Sequence, residues 1–282
     1  MDRMLLDVHT HSDFSPDAES PLENMYKTAC ELGLRVYAVT DHCECNFWEE
    51  AENDSITDAM MYGAKRYALQ SIKAQYELKQ RYSGSTEILV GMELGQPEQA
   101  RDKAMIIEND ERLDFIIGSH HMNSGCDDFY YLDYSKMSSQ QINTLLEDHF
   151  RQTLTMCRTC RFDVLGHLTY PLRYICGEHG LKVSLKQYDD IIAEIFRELI
   201  DKGRGIEINT SGLRQKYGLT FPELGYVRLF RDLGGRIVTL GSDAHRTADI
   251  GKGVSQGVEI AQAAGFDRIA YFKQHEPEFI RL

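Results

Sequence analysis

The chain has 282 residues, 42% of them hydrophobic, and a formal net charge of −13 at pH 7. That length equals two average domains, but an α/β barrel reaches it as one unit, and the apolar content suffices for a sizeable core with no sign of disorder. The acidic balance argues against broad binding of nucleic acid or anionic membrane, which needs basic surface; bound metal ions can still create a local positive site that the formula does not count.

In chain order, Met1-Asp2-Arg3-Met4-Leu5-Leu6-Asp7 runs directly into a first strand over 4–9, without the apolar core of a signal peptide. Leu22, Met25, Tyr26, Ala29 and Leu32 step by three and four and stop at Gly33, as a helix C-terminus should. A second strand covers 35–40. Segment 46–62, with Trp48 as the sole tryptophan, reads as a loop leading into a helix, with a lid over the site as the alternative. Residues 57–82 form a long helical stretch, followed by strands at 87–93 and 114–119. A helix over 139–160 precedes a strand at 162–167. The 185–202 helix follows the stripe Leu185, Tyr188, Ile191, Ile192, Ile195, Phe196 and Leu199 and ends at Gly203. Strands at 205–210 and 236–241 flank a helix over 222–233, and a last helix covers 252–264. The tail from Arg268 is expected to add a short strand and pack against the wall of the fold. Apolar runs stay below the ~18 residues of a membrane span, so a cytoplasmic protein is expected.

Strand followed by helix, seven times over, predicts parallel pairing through right-handed crossovers. No Pro- or Gly-rich linker divides residues 1–282, so one domain is expected. The architecture is read as a distorted seven-stranded (β/α)7 barrel related to the eightfold one, with an open doubly wound sheet as the alternative. The seven cysteines are an odd number, at 30, 43, 45, 126, 157, 160 and 176. Cys157 and Cys160 make a C-x-x-C, but within a helical stretch and without a second pair for a structural zinc site; reduced thiols are expected.

Seven of the ten histidines gather where predicted strands end: His9-Thr-His11, Thr40-Asp41-His42, Ser119-His120-His121, Gly166-His167 and Ser242-Asp243-Ala244-His245. Glu93 ends the third strand in the same way. Residues two apart on a strand share a face, so His9 points with His11 and Asp243 with His245, on first and last strands that become neighbours if the barrel closes. His42, Glu93, His121 (or His120) and His167 come from other strands, and Asp17 can lean over from the first loop. Imidazole and carboxylate suit zinc, iron and manganese alike. This set exceeds the needs of one four- or five-coordinate ion and fits two or three ions bridged by a carboxylate.

Such a cluster lowers the pKa of a shared water and neutralises an anionic substrate, both of which phosphate ester hydrolysis needs. A lone strand-end histidine is ordinarily a hydrogen-bonded loop residue, but six segments at one end of the strands are not coincidence. His149, His179 and His275 are read as ordinary surface or packing residues. Asp41 is read as fixing the imidazole of His42. The sixth strand carries no histidine and ends with Asn209 and, after a short loop, Arg214. Asn209 and Arg214, with Arg173 and Arg246, are the candidate substrate contacts, Arg214 being suited to bidentate phosphate binding.

These motifs, in this order, resemble the polymerase and histidinol phosphatase (PHP) family of metal-dependent phosphoesterases, over positions 9 to 245. The resemblance implies a distorted seven-stranded βα barrel with a trinuclear metal site. It implies one metal at His9, His11, Glu93 and Asp243, a second at Asp17, His42 and His245, and a third at Glu93, His121 and His167, with Glu93 bridging. Many members have histidine where this chain has Asp17, and the spacing after Gly118-Ser119 favours His121 over His120. Within the family, the segment Glu207-Ile-Asn209-Thr-Ser-Gly-Leu-Arg214 and the Tyr271-Phe272 tail are most similar to histidinol-phosphate phosphatases. That implies a phosphomonoesterase hydrolysing L-histidinol phosphate, a small-molecule ester of histidine biosynthesis, with a metal-bridging hydroxide as nucleophile. Glu93, Asp243, His245 and Arg214 then form the catalytic set, and Arg214 with Arg173 binds phosphate. Alternatives are a phosphoesterase acting on nucleotides, oligonucleotides or phosphotyrosine, and a non-catalytic metal-binding module; the acidic charge counts against nucleic acid.

Overall fold

The computed structural model of the chain describes residues 6–47 and 64–282. In chain order the barrel strands are β1 (Leu6–Asp7), β2 (Val36–Val39), β3 (His42–Glu44), β4 (Glu87–Gly95), β5 (Phe115–Ser119), β6 (Val164–Leu165), β7 (Gly205–Asn209) and β8 (Val238–Gly241). They pair in the order β1-β2-β4-β5-β6-β7-β8, with β3 joining β4 past the end of β2. Every pairing in this sheet is parallel. Strands β2 and β3 are two stretches of one path along β4. Between them the register is kept: Asp41 O accepts from Glu93 N of β4 at 3.1 Å, while on the other side Thr40 N donates to Thr10 O at 2.7 Å.

The first and last strands meet. Val8 N donates to Leu240 O (3.1 Å), Asp243 N to His9 O (2.7 Å) and His11 N to Ala244 O (2.8 Å), beside a parallel bridge between Thr10 and Ala244. These bonds make the sheet a nearly closed seven-stranded barrel, and the open doubly wound alternative falls away. The expected strand at 162–167 is a two-residue ladder, and that at 4–9 is seen at Leu6–Asp7, residues 1–5 lying outside the described residues.

Around the barrel run α1 (Leu22–Glu31), α2 (Ala64–Arg81), α3 (Arg101–Glu108), α4 (Ser139–Thr159), α5 (Asp189–Asp201), α6 (Leu224–Asp232) and α7 (Val254–Ala263). The apolar stripes read from the sequence are the buried faces: Leu22, Met25, Tyr26 and Ala29 on α1, and Ile192, Ile195, Phe196 and Leu199 on α5. Helix α4 begins with a capping box, Ser138 Oγ accepting from Gln141 N while Gln141 reaches back to Ser138 N. The expected 185–202 helix opens with a separate 3₁₀ turn, Leu185–Tyr188. Two elements escape the apolar pattern, the short α3 and a π-helical turn at Arg173–Glu178. The expected helix start at 57 and nearly all of the 46–62 loop lie outside the described residues.

The tail differs from expectation. Strands β9 (Arg268–Lys273) and β10 (Glu276–Arg281) form an antiparallel hairpin of their own. It sits against the starting ends of the barrel strands: Phe272 stacks on Phe115 at 5.4 Å, His275 N donates to Asp114 O, and His275 Nδ1 lies 2.9 Å from Asp163 Oδ2. The hairpin therefore caps the mouth opposite to the one that carries the histidines. Among the described residues no helix is long and apolar enough to cross a membrane.

Candidate metal centre

At the C-terminal ends of the strands the donors converge on Glu93, which is wholly buried. Its Oε1 lies 2.8 Å from His167 Nε2 and 3.2 Å from His121 Nε2. Its Oε2 lies 2.8 Å from His42 Nδ1, 3.5 Å from His9 Nε2 and 3.6 Å from His11 Nε2. Asp243 Oδ1 stands 3.3 Å from His11 Nε2 and 3.8 Å from His9 Nε2, while Asp17 lies 3.1 Å from His245 Nε2 and 3.6 Å from His42 Nε2. The cluster therefore contains His9, His11, Asp17, His42, Glu93, His121, His167, Asp243 and His245. It also decides between the adjacent histidines: His121 faces Glu93, whereas His120 turns away toward Asn123 and Glu98.

Most of the imidazoles are aimed by a partner on the ring nitrogen turned away from the centre. His9 Nδ1 meets Glu207 Oε1 at 2.6 Å, His121 Nδ1 meets Glu44 Oε1 at 2.8 Å, His11 Nδ1 meets Ser15 Oγ at 3.2 Å and His245 Nδ1 meets Asp243 O at 3.0 Å. A carboxylate or carbonyl in that position fixes the tautomer and leaves Nε2 bare toward an ion. Glu44 and Glu207, which back His121 and His9, are missed by the histidine pattern: Glu44 lies two residues past His42, level with Gly95, and Glu207 lies two residues before the end of β7. Asp41 does not touch the His42 ring, contrary to expectation. It accepts from Ser12 N, Ser12 Oγ, Ser15 Oγ and Ser71 Oγ, and Ser15 in turn receives His42 N and faces His11. Asp41 thus braces the loop after β1 and acts on His11 through a serine.

Close approach and strain serve the same aim. A Cβ on Gly241 would lie 2.3 Å from both His9 Cβ and Glu207 Oε1, so only glycine leaves room for that pair. Asp243 adopts φ +55°, a conformation that costs an aspartate energy and that the surrounding bonds impose.

The donor set fits cations. Among the described residues four groups of three side chains bring one donor atom each within 4.8 Å of one another: His11, His42 and His245; His9, Glu93 and His167; His9, His11 and Asp243; and His42, Glu44 and His121. Among the described residues, buried His9 Nε2, His11 Nε2, His42 Nδ1 and Glu93 Oε2 have no hydrogen-bond partner, although the last two are only 2.8 Å apart. Such orphaned atoms are costly unless something positive lies among them. The electrostatics agree. Burial disfavours the charge on Glu93, yet His9, His121 and His42 hold its carboxyl well below the usual range. Burial likewise opposes the charge on His121, but Glu44 and Glu93 lift it to about 10. Burial, with His42 and His245 beside it, pushes His11 down to about 3. Carboxylates that demand positive charge, beside an imidazole that refuses a proton, are the mark of a metal cradle.

The cluster forms the floor of a cavity of about 720 Å³, which Arg173, Arg214 and Arg246 also line. Arg214 is held by Ser242 O (2.7 Å) and Asp243 O (3.3 Å), and Arg173 lies 5.3 Å from the Tyr174 ring. Arg246 is more than half exposed at the rim and paired with Asp249 at 2.7 Å. Asn209 is not among the lining residues. It is fully buried, its oxygen accepting from Ser211 and its amide donating to Glu207, so it supports the loop to Arg214 instead of meeting a ligand. His149, His179 and His275 lie outside the cluster, His149 bonding Leu168 O on the far side of His120. The cysteines are free; burial pushes the Cys157 thiol up and that of Cys160 to about 11, and neither joins a donor group.

Comparison with known proteins follows this geometry. The family model of the PHP domain matches residues 7–211, well over half of the chain. The chain belongs to the PHP domain family. A probable histidinol-phosphatase of Clostridium acetobutylicum is 26% identical to this PHP protein over 273 residues, spanning 96% of this chain and 98% of its own. A histidinol-phosphatase of Saccharomyces cerevisiae is 25% identical over 280 residues, spanning 86% and 84%. The crystal structure of the histidinol phosphate phosphatase of Lactococcus lactis, complexed with zinc, L-histidinol and phosphate, superposes with a TM-score of 0.77. It covers 98% of this chain and 100% of its own at 21% identity, which establishes a shared PHP barrel.

Proposed function

We propose that the protein is a metal-dependent phosphomonoesterase that hydrolyses L-histidinol phosphate to L-histidinol and phosphate. The observation that carries this reading is the convergence of nine metal-competent side chains in one cluster at the floor of a cavity that three arginines also line. PHP membership and the names of the full-length relatives support the substrate. In this reading His9, His11, Glu93 and Asp243 hold one ion, Asp17, His42 and His245 a second, and Glu93, His121 and His167 a third. When bound, zinc, iron or manganese ions supply an activated water and neutralise charge on the phosphoryl group.

The chain's own residues do the rest. Glu93 and Asp243 keep the cluster together from opposite sides, and His245, tied to Asp17, closes it at the solvent side. Arg214, immobilised on two carbonyls, presents its remaining donors to phosphate oxygens whose charge grows in the transition state, and Arg173 aids from the neighbouring wall. Water adds to phosphorus, the bond from phosphorus to the histidinol oxygen breaks, and the proton lost by the attacking water ends on the departing alkoxide. The test is turnover of L-histidinol phosphate by purified protein loaded with manganese, zinc or iron, beside a panel of nucleotides, phosphotyrosine peptides and simple alkyl phosphates. Preference for histidinol phosphate is expected. Activity confined to the other esters overturns the substrate, and no phosphatase activity with any metal overturns the reaction.

A further inference from the structure

The cavity is far larger than phosphate requires. About 720 Å³ lies within the range of pockets that enclose a whole small molecule, so most of it is available to the leaving group. One part of the lining has a chemistry unrelated to the ions. Asp128 is 6% exposed, yet it lines the cavity. Its Oδ1 accepts from Tyr130 N at 2.7 Å, and among the described residues no lysine or arginine pairs with it and its second oxygen has no hydrogen-bond partner. A buried carboxylate with a single neutral donor is expensive to keep. Burial accordingly raises this carboxyl to about 6, against the pull of His121 and His42 and with Glu44 adding to the rise.

Around it stand tyrosines. Tyr130, Tyr131, Tyr170 and Tyr174 all line the same cavity. Their rings meet nearly at right angles, Tyr130 with Tyr131 at 5.0 Å, Tyr130 with Tyr174 at 5.8 Å and Tyr170 with Tyr174 at 5.4 Å. Perpendicular walls present ring faces in several directions. Arg173 takes one face of Tyr174 and Tyr170 packs on His121 and His167, whereas Tyr130 and Tyr131 remain 60% and 47% exposed. Electron-rich ring faces beside an underused carboxylate attract a cation and reject an anion.

We propose that Asp128, walled by Tyr130, Tyr131, Tyr170 and Tyr174, is a cation-binding subsite that selects phosphomonoesters whose leaving group carries an ammonium or imidazolium. This rests on the phosphomonoesterase reading and adds to it the residues that choose the substrate. The carboxylate and the ring faces grip the positive end of the ester while the arginines and ions hold its phosphate. An uncharged alkyl group gains nothing from Asp128, and a nucleotide or a second phosphate is repelled by it.

The experiment has two arms, each run on the metal-loaded wild type and on Asp128→Asn, which retains the acceptor for Tyr130 N, and Tyr130→Ala, which removes an exposed ring. In the first, kcat/KM is measured for 3-aminopropyl phosphate and for propyl phosphate, which differ only in the cation. The wild type should prefer the amine by about 30-fold or more, and Asp128→Asn should bring that ratio close to one. In the second, calorimetry measures binding of L-histidinol, which has the cation and no phosphate; about a tenfold loss or more is expected in Asp128→Asn and a smaller loss in Tyr130→Ala. A wild type indifferent to the amine, or a ratio unchanged by Asp128→Asn, overturns the subsite. An equal fall for both esters overturns it too, because Asp128 would then act on the scissile end. If no ester is hydrolysed but histidinol binds and Asp128→Asn abolishes that binding, the reaction is wrong and the subsite stands.

Discussion

Replacement of Glu207 by glutamine probes the idea that a carboxylate behind a histidine sets its affinity for metal. Glu207 uses both oxygens: Oε1 faces His9 Nδ1 at 2.6 Å, and Oε2 accepts from His167 N at 2.9 Å and Asn209 Nδ2 at 3.2 Å. Glutamine has the same size, so no cavity forms, but one oxygen becomes an amide. If the amide replaces Oε2 it faces two donors and leaves them unpaired, at about 1–3 kcal/mol each for a buried group. If it replaces Oε1 it must donate to His9 Nδ1, and the imidazole proton moves to Nε2, the atom facing Glu93 and Asp243. A protonated Nε2 cannot bind an ion. Loss of such a partner lowers metal affinity about 10–100-fold, or about 1.4–2.8 kcal/mol. Competition against a fluorescent chelator, with metal per chain counted after dialysis, measures this directly, and thermal unfolding in excess chelator separates it from a fold defect. Wild-type affinity and stoichiometry in Glu207→Gln refute the argument.

Glu93→Gln should reduce metal content and abolish turnover, since it removes the charge on which His9, His42, His121 and His167 converge; elemental analysis beside the phosphatase assay decides it. Arg214→Lys should lower kcat/KM by about 10–100-fold, because an ammonium cannot keep both carbonyl bonds and still reach phosphate as a fork; inhibition by orthophosphate should weaken in parallel. Phe272→Ala should cost about 3–5 kcal/mol in denaturant unfolding, as it empties the fully packed contact with Phe115 where the hairpin caps the barrel. With iodoacetamide at neutral pH the exposed Cys126 should be modified ahead of Cys157 and Cys160, whose burial both hides and protonates them; peptide mass mapping reads the order.

The site was legible in the sequence to the extent that its donors end strands. His9, His11, His42, Glu93, His121, His167, Asp243 and His245 each follow an apolar run, and a parallel barrel delivers all such ends to one rim. What stayed hidden depends on which strands become neighbours. Glu207 meets His9 across the chain, and Glu44 meets His121 from β3; no local spacing records either pair. Asp41 misled for the same reason, since the serines it serves come from the loop after β1 and from α2, not from its own motif. Asn209 looked like a ligand contact because it ends a strand without a histidine, whereas its oxygen is taken by Ser211 of the loop it supports and its amide nitrogen by Glu207 on its own strand. Of the hairpin β9–β10 only one short strand was legible, because its two strands pair with each other and not with the barrel.

The seam between β1 and β8 has a consequence for how the protein comes together and how it breathes. The bonds that close the barrel, from Val8, His9 and His11 to Leu240, Asp243 and Ala244, involve the donors themselves or their immediate neighbours. Asp7 reinforces them by accepting from Ser242, 235 positions along the chain. Contacts of that separation demand closure of a loop that spans most of the chain and are expected to form late. On this reasoning the metal cradle is complete only once the barrel has shut, and an ion held by both His9 and Asp243, as proposed above, would work as a clasp on the last joint. Amide hydrogens of Val8, His11 and Asp243 should exchange faster when chelator is present than when metal is, while those of β4 and β5 keep one rate. Catalytic competence and closure of the fold are then one event, reported by the same amides.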